Sequence, residues 1–159
     1  MADTHDHATP TPEPIVVPAG GGRPLPGPEG LVVKAGGADT GGSIAVLEAT
    51  SAPGFVAPPH VHHDTDELFY VLDGTFEILV GDTVHRAPPG AFVFVPRGTV
   101  HSPRVAGDRP GRVLVAMVPG GAERAFDEFA EVAARLGDAF DPGGPEARAV
   151  ARRYGSDLV

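Results

Sequence analysis

The sequence predicts an all-β domain, an antiparallel sandwich or barrel, followed by one or two C-terminal α-helices. Between Gly30 and Val118, short runs rich in Val, Ile, Phe and Thr are separated by Gly, Pro and Asp turn residues. After Pro119 the apolar residues recur at helical spacing instead. A length of 159 residues is that of one ordinary domain.

Composition narrows the possible functions. The chain has 12 Lys and Arg against 21 Asp and Glu, a formal net charge of −9, so we expect neither nucleic acid nor an anionic membrane as a partner. The absence of cysteine excludes disulfides and thiolate chemistry, so a metal would be held by His, Asp or Glu. The polar, acidic start of the sequence does not resemble a secretory signal, which predicts a cytoplasmic protein.

Residues 1–28 are predicted to form a flexible arm, because they contain seven prolines and few large apolar groups. Residues 15–17 (Ile-Val-Val) are the one stretch of this arm that could pair with a sheet edge. His5 and His7 have the spacing of metal ligands, but in such a tail we interpret them as solvated histidines.

Residues 29–119 are predicted to form the β-barrel. Asp73-Gly74 and Gly81-Asp82 lie between apolar runs, where hairpin turns are expected. Residues 91–95 contain no polar alternation, so we expect both faces of that strand to be buried. The predicted strands are 31–35, 43–50, 60–63, 67–73, 75–81, 83–87, 91–95, 99–105 and 111–118.

Residues 120–159 are predicted to be helical. Phe126, Phe129 and Leu136 share one helical face, and Gly137 is a typical stop. A second helix is expected to begin at Pro145 and to end at Gly155.

Four residues carry the predicted chemistry. His60 and His62 alternate on one strand and therefore point to the same side. A hairpin after His62 would bring Glu67 back to face the two imidazoles, and His101 opens a later strand where it could supply a third nitrogen.

This ligand set suits one divalent transition metal per chain: Fe, Mn, Ni, Co, Cu or Zn. In an octahedral shell, four protein ligands leave two positions open for substrate and for dioxygen or water. The alternative is a group of pH-sensitive histidines that bind no metal. His63 is expected to point away from this group, and His85 to face solvent.

Two segments resemble the two motifs of the cupin superfamily. Gly54, His60, His62, Glu67 and Gly74 fit Gly-x5-His-x-His-x4-Glu-x6-Gly. The second motif, Gly-x5-Pro-x-Gly-x2-His-x3-Asn, is met at its first four fixed positions, and its final Asn is replaced. The residues of this second segment are Gly90, Pro96, Gly98, His101 and, in place of Asn, Val105.

This resemblance implies a cupin jelly-roll barrel, a metal held by His60, His62, Glu67 and His101, and a homodimer. A finer similarity, in residues 60–74 and 94–101, is to bacterial quercetin 2,3-dioxygenase-like cupins. It implies a dioxygenase acting on a flavonol or a related enol-bearing aromatic molecule, with Glu67 as both ligand and catalytic base. The alternatives are a non-redox cyclase or isomerase acting on a polyketide-like substrate, and a non-catalytic ligand-binding protein.

Apolar residues on the inward faces of the predicted strands are candidates for the substrate pocket, although such stripes more often belong to the core alone. Without a Lys or Arg cluster, an apolar wall of this kind would suit an aromatic or polyketide-like molecule better than a sugar phosphate. The candidates are Phe69, Val71, Phe76, Ile78, Pro103 and Val105.

Overall fold

Two antiparallel β-sheets face each other in the computed structural model, which describes residues 12–27 and 30–159. Sheet 1 has six strands, in the spatial order β1 (Arg23–Pro24), β2 (Gly30–Ala35), β3 (Ala45–Ser51), β10 (Gly111–Val118), β5 (Asp66–Asp73) and β8 (Phe92–Val95). Sheet 2 has five strands, in the order β11 (Ser156–Leu158), β4 (His60–His62), β9 (His101–Val105), β6 (Phe76–Val80) and β7 (Thr83–Ala87).

The core lies between the sheets and follows from alternation along the strands. In β10, Val113, Val115 and Met117 are buried while the residues between them are more exposed. Leu47 on β3 and Phe76 on β6 meet them from the two sheets. Burying each such side chain contributes about 1.5–3 kcal/mol, so this row stabilises the barrel that positions the site. The jelly-roll prediction is confirmed.

The β6–β7 hairpin turns at Gly81-Asp82 as predicted. Asp73-Gly74 does not form a hairpin, because β5 and β6 belong to different sheets and this turn carries the chain across. Gly74 has φ +71°, and a Cβ there would lie 2.5 Å from the carbonyl oxygen of Pro110. Glycine is therefore required at position 74 for two reasons: the positive φ, and the lack of space for a Cβ.

Two predictions about apolar segments are wrong. Phe92 and Phe94 on β8 are 60% and 50% exposed, because β8 is an edge strand whose outer face has no covering layer. Residues 15–17 lie outside every strand, and Val16 is 90% exposed.

Part of the predicted N-terminal arm packs against the barrel. Strand β1 pairs with β2, and Leu25 is buried in the main core. Residues 23–25 are therefore packed against the barrel and do not belong to an unpacked arm. His5 and His7 lie outside the described residues.

The C-terminal helices are confirmed. Helix α1 spans Arg124–Leu136, and Gly137 at its end has φ 54°. A 3-10 turn at Gly137–Ala139 precedes helix α2, Pro145–Arg153, which begins with proline at its first position. The two helices share a small core of their own, formed by Ala125, Val132 and Val150, with Phe129, Leu136, Phe140 and Tyr154 packed against it. Within the described residues, no helix is both long and apolar enough to cross a bilayer.

Candidate metal centre

The structure brings together the four residues singled out by the sequence. Each of His60, His62, Glu67 and His101 offers one potential ligand atom, and these four atoms lie within 4.8 Å of one another. Glu67 is 4% exposed and His101 is 1% exposed. Such a convergence of imidazoles and a carboxylate is the donor set that borderline divalent metals prefer.

The two sheets contribute different ligands. His60 and His62 lie on β4 and His101 on β9, its antiparallel neighbour, with His60 directly opposite His101. Glu67 comes from β5 in sheet 1. The expected hairpin between β4 and β5 is thus wrong, but Glu67 still faces the imidazoles, because the inner faces of the two sheets oppose each other.

Three imidazole nitrogens point at one carboxylate oxygen. The Nε2 atoms of His101, His62 and His60 lie 2.6, 3.2 and 3.9 Å from Oε2 of Glu67. Only the His101 contact has hydrogen-bond geometry, and His62 Nε2 is a buried atom with no hydrogen-bond partner among the described residues. A buried nitrogen left in this way is destabilising unless something else binds it. A metal ion among the four residues would satisfy it, so the donor set fits a metal.

The opposite nitrogen of each ring is engaged by the protein. His60 Nδ1 donates to the carbonyl oxygen of Pro58 at 2.8 Å, and His101 Nδ1 donates to that of Thr99 at 3.0 Å. Because a carbonyl can only accept, each Nδ1 carries the proton, and Nε2 is the atom that can coordinate a metal.

His62 is held differently. Its Nδ1 lies 2.6 Å from the hydroxyl oxygen of Ser156, on β11 near the end of the chain. Sequence reasoning missed both the strand and this contact. In the sequence, Ser156 follows Gly155 near the end of a predicted helix and has no feature typical of a metal site. Only the pairing of β11 with β4 shows that it lies beside His62.

The site favours a carboxylate anion. Burial by itself would raise the pKa of Glu67, but its interactions with His101, His60 and His62 outweigh burial and hold the pKa well below the ordinary value. Burial would lower the pKa of His60, yet its interaction with Glu67 outweighs burial and raises it. The Glu67 carboxylate therefore keeps its negative charge, which suits a bound cation.

An exposed ion pair braces the loops beside the ligands. The Arg97 guanidinium donates to both carboxylate oxygens of Asp66, at 3.0 and 2.9 Å, and holds the Asp66 pKa down at about 2. The neighbouring Gly98 N–H donates to the His62 carbonyl oxygen at 2.7 Å. These contacts tie the turn before His101 to the strands that carry Glu67 and His62.

As predicted, His63 points away from the cluster, and there it contacts Asp157 at 2.9 Å.

A cavity of about 380 Å³ reaches the cluster and is otherwise mostly apolar. Of the predicted pocket residues, Phe69, Phe76 and Pro103 line it. Val71, Ile78 and Val105 do not, because they are enclosed in the packed core between the sheets.

The C-terminal segment forms part of the cavity wall. Phe126 and Phe129 from α1 and Phe140 after the 3-10 turn are among the lining residues. Ala151 of α2 and Ser156 of β11 also line it. The helices therefore cover the cavity, a role that sequence reasoning left open between a lid and a dimer contact.

Comparison with known proteins identifies the fold family. Residues 47–117 match a protein-family model described as "Cupin domain". This matched stretch, less than half of the 159-residue chain, is similar to a cupin domain. His60, His62, Glu67 and His101 all lie within the matched region of this domain, whereas the C-terminal helices and Ser156 lie outside it. Val105, which replaces the Asn of the second cupin motif, is a buried core residue and does not belong to the four-residue cluster.

Curated relatives of the cupin domain include plant and bacterial proteins. Germin-like protein subfamily 2 member 2 of Arabidopsis thaliana is 33% identical over 96 residues, 55% of this chain and 44% of the relative. Quercetin 2,3-dioxygenase of Bacillus subtilis is 32% identical over 81 residues, 51% of this chain and 24% of the relative. The chain thus matches less than half the length of either relative.

A solved structure supports the same architecture. The structure of KdgF from Halomonas sp. superimposes with a TM-score of 0.54 at 23% identity, over 60% of this chain and 83% of that chain. At this level of identity the likeness shows the cupin fold alone.

Proposed function

We propose that this chain is a metal-dependent enzyme, a dioxygenase that acts on a flavonol or a similar aromatic molecule bearing an enol. One observation carries the proposal: a buried three-histidine, one-glutamate cluster opens onto a mostly apolar cavity of about 380 Å³. The similarity to a quercetin 2,3-dioxygenase supports oxygen chemistry over the alternatives.

The protein's part in the reaction begins with holding the metal. His60, His62 and His101 would bind it through Nε2, and Glu67 through a carboxylate oxygen. Three neutral imidazoles and one carboxylate leave a divalent ion with a net charge of +1, which favours binding of an enolate. When bound, a redox-active ion of this kind supplies the activation that lets an organic enolate react with dioxygen.

Glu67 is positioned to act as the base. It lies at the cavity wall beside the metal-binding nitrogens, and the surrounding histidines keep it ionised. Because its pKa is low, Glu67 would accept the hydroxyl proton of an arriving enol only where a bound metal acidifies that hydroxyl, and the enolate oxygen would then bind the metal. Glu67 is 4% exposed, so bulk water has little access to its carboxylate.

The proposed substrate class rests on the residues of the cavity wall. Phe69, Phe126 and Phe129 present aromatic rings to it. No Lys or Arg occurs among the described lining residues, so a phosphate would find no fixed cation apart from the metal. A flat, mostly uncharged aromatic molecule is the ligand that such a wall stabilises.

The test joins metal analysis to oxygen uptake. Protein purified without chelator is analysed by elemental mass spectrometry and then mixed with quercetin in an oxygen electrode. We expect about one Fe, Mn, Co, Ni or Cu per chain, and one dioxygen consumed per flavonol lost. The His62→Ala variant should lose metal and uptake together, whereas His85→Ala, at an exposed histidine of β7, should keep both. A zinc-loaded protein that consumes no oxygen would overturn the dioxygenase proposal in favour of non-redox chemistry.

We also propose a homodimer, as the family resemblance implies. Tyr70 and Phe92 are directly opposed on β5 and β8, and both are exposed together with Phe94. A patch of this kind at a sheet edge favours association. Sedimentation equilibrium at micromolar concentration should give twice the chain mass of 16.3 kDa. A single-chain mass for the wild type would contradict the dimer.

A further inference from the structure

We infer that Ser156, on the C-terminal strand, is a positioning residue for the metal ligand His62. Its hydroxyl oxygen lies 2.6 Å from His62 Nδ1, and both side chains are buried. The hydroxyl oxygen can accept a hydrogen bond from Nδ1–H, which fixes the ring's rotation and leaves Nε2 directed at the cluster. This role for Ser156 rests on the proposed metal-dependent function.

Strand pairing makes the contact specific. Strand β11 runs antiparallel to β4 with Ser156 directly opposite His62. The pairing continues on both sides, since the His63 N–H donates to the Gly155 carbonyl at 2.8 Å and the Val159 N–H donates to that of Pro59 at 2.9 Å. Directly opposed side chains in an antiparallel pair lie close to each other, so the register places this hydroxyl against the ring.

Helix α2 and its neighbours hold β11 in place. Arg148 donates to the Leu158 carbonyl oxygen, and Arg152 donates to the Asp157 carboxylate at 3.0 Å. Asp157 also contacts His63 at 2.9 Å. A short edge strand of three residues is therefore tied both to the strand that carries the ligands and to the helix before it.

The three histidines differ in what orients them. His60 and His101 each bond a carbonyl only two residues away, so their rings are set by their own strand ends. His62 is set by a residue 94 positions later in the chain. Ser156 lies outside residues 47–117, the region matched by the family model. The metal centre is therefore completed by the C-terminal segment, and correct folding of the matched region alone does not orient all three rings.

The test compares Ser156→Ala and Ser156→Thr with the wild type. Metal affinity is measured by competition with a chromogenic chelator, using Co²⁺ as the probe. Removal of an outer-shell partner weakens metal binding by about 10- to 100-fold, and we expect a loss of that size for Ser156→Ala. Threonine retains the hydroxyl and should recover most of the affinity. Ser43→Ala is the control, because it removes a hydroxyl that bonds an exposed loop carbonyl.

A second readout does not depend on metal. Proton-detected NMR of ¹⁵N-histidine-labelled metal-free protein reports which ring nitrogen carries the proton. We expect Ser156→Ala to change the His62 ring signals and to leave those of His60 and His101 in place. Thermal unfolding of the metal-free variants shows whether they fold, so weaker binding by an unfolded chain is not mistaken for lost positioning.

The outcomes separate the two proposals. Unchanged cobalt affinity and unchanged His62 signals in a folded Ser156→Ala protein would overturn the role of Ser156 and leave the proposed function standing. Weaker binding by Ser156→Ala, in a protein whose wild type consumes no oxygen with quercetin, would support positioning and overturn the dioxygenase. A folded wild type that binds no metal would overturn both.

Discussion

Glu67 approaches His101 from the opposite sheet, and its Oε2 atom lies 2.6 Å from His101 Nε2. The carboxylate and the imidazoles therefore do not depend on one hairpin for their relative position. They depend on the packing of two sheets across the core. Large changes in that packing would separate the acid from all three histidines at once.

Replacing Glu67 with Gln should separate metal binding from turnover. The amide keeps the size and one oxygen donor but cannot accept the substrate's proton. We expect the variant to retain metal at reduced affinity and to lose turnover by about 100-fold or more. Metal content and oxygen uptake are measured on the same preparation. Glu131→Gln, at an exposed carboxylate of α1, is the matched control, and a fully active Glu67→Gln enzyme would exclude the base role.

Removal of the metal should lower thermal stability, because four ligands, three of them buried, lose their common partner. At a free metal concentration one hundred times the Kd, binding stabilises the folded state by about 2.7 kcal/mol. For a chain of this length that corresponds to a rise in Tm of about 5–11 °C. Calorimetry before and after dialysis against a chelator measures it. An equal Tm with the chelator and at saturating free metal would show that the cluster binds no metal in the folded protein.

Phe129→Ala should change substrate binding more than metal binding. This ring lines the cavity from α1, and its centroid is 6.5 Å from that of Phe126. Loss of one aromatic contact corresponds to about a 3- to 10-fold rise in KM. Steady-state kinetics with a flavonol, beside metal analysis, checks this. Val84→Ala, at an exposed residue of β7, provides the comparison. A KM equal to that of the wild type would remove α1 from the binding wall.

Gly74→Ala should destabilise the barrel more than Gly81→Ala. Both glycines have positive φ, +71° and +59°, so each substitution introduces backbone strain of about 1–2 kcal/mol. Only at Gly74 would the added Cβ meet a backbone atom, the Pro110 carbonyl oxygen at 2.5 Å, whereas the Cβ at position 81 meets nothing within 4 Å. We expect roughly twice the loss of unfolding free energy at position 74. Urea denaturation measures both, and equal losses would show that the crossover relaxes freely.

The predictable part of the site was the part encoded by local spacing. His60 and His62 share a side because strand residues alternate, whereas Glu67 and His101 were assigned to the same site through their match to the cupin motifs. The helices were predictable for the same reason, since a period of 3.6 residues is visible over 13 residues of α1.

Sheet membership was not predictable in this way. Whether a turn such as Asp73-Gly74 folds a hairpin or crosses between sheets depends on which distant strand is available for pairing, and alternation is the same in both cases. The exposure of Phe92 and Phe94 has the same origin. A continuous apolar run fits both a central strand and an edge strand, and only the sheet order shows that nothing covers β8.

Strand β11 carries the part of the site that is synthesised last. The chain is made from its N-terminus at about 5–20 residues per second, and domains generally begin to fold as they emerge. His101 is synthesised 55 residues before Ser156, an interval of about 3–11 seconds at that rate. Late in that interval, once β10 has paired between β3 and β5, all four candidate ligands can meet while His62 Nδ1 still lacks the Ser156 hydroxyl. On the positioning role that we infer for Ser156, a metal ion that arrives then meets a centre whose His62 ring lacks its hydrogen-bond partner.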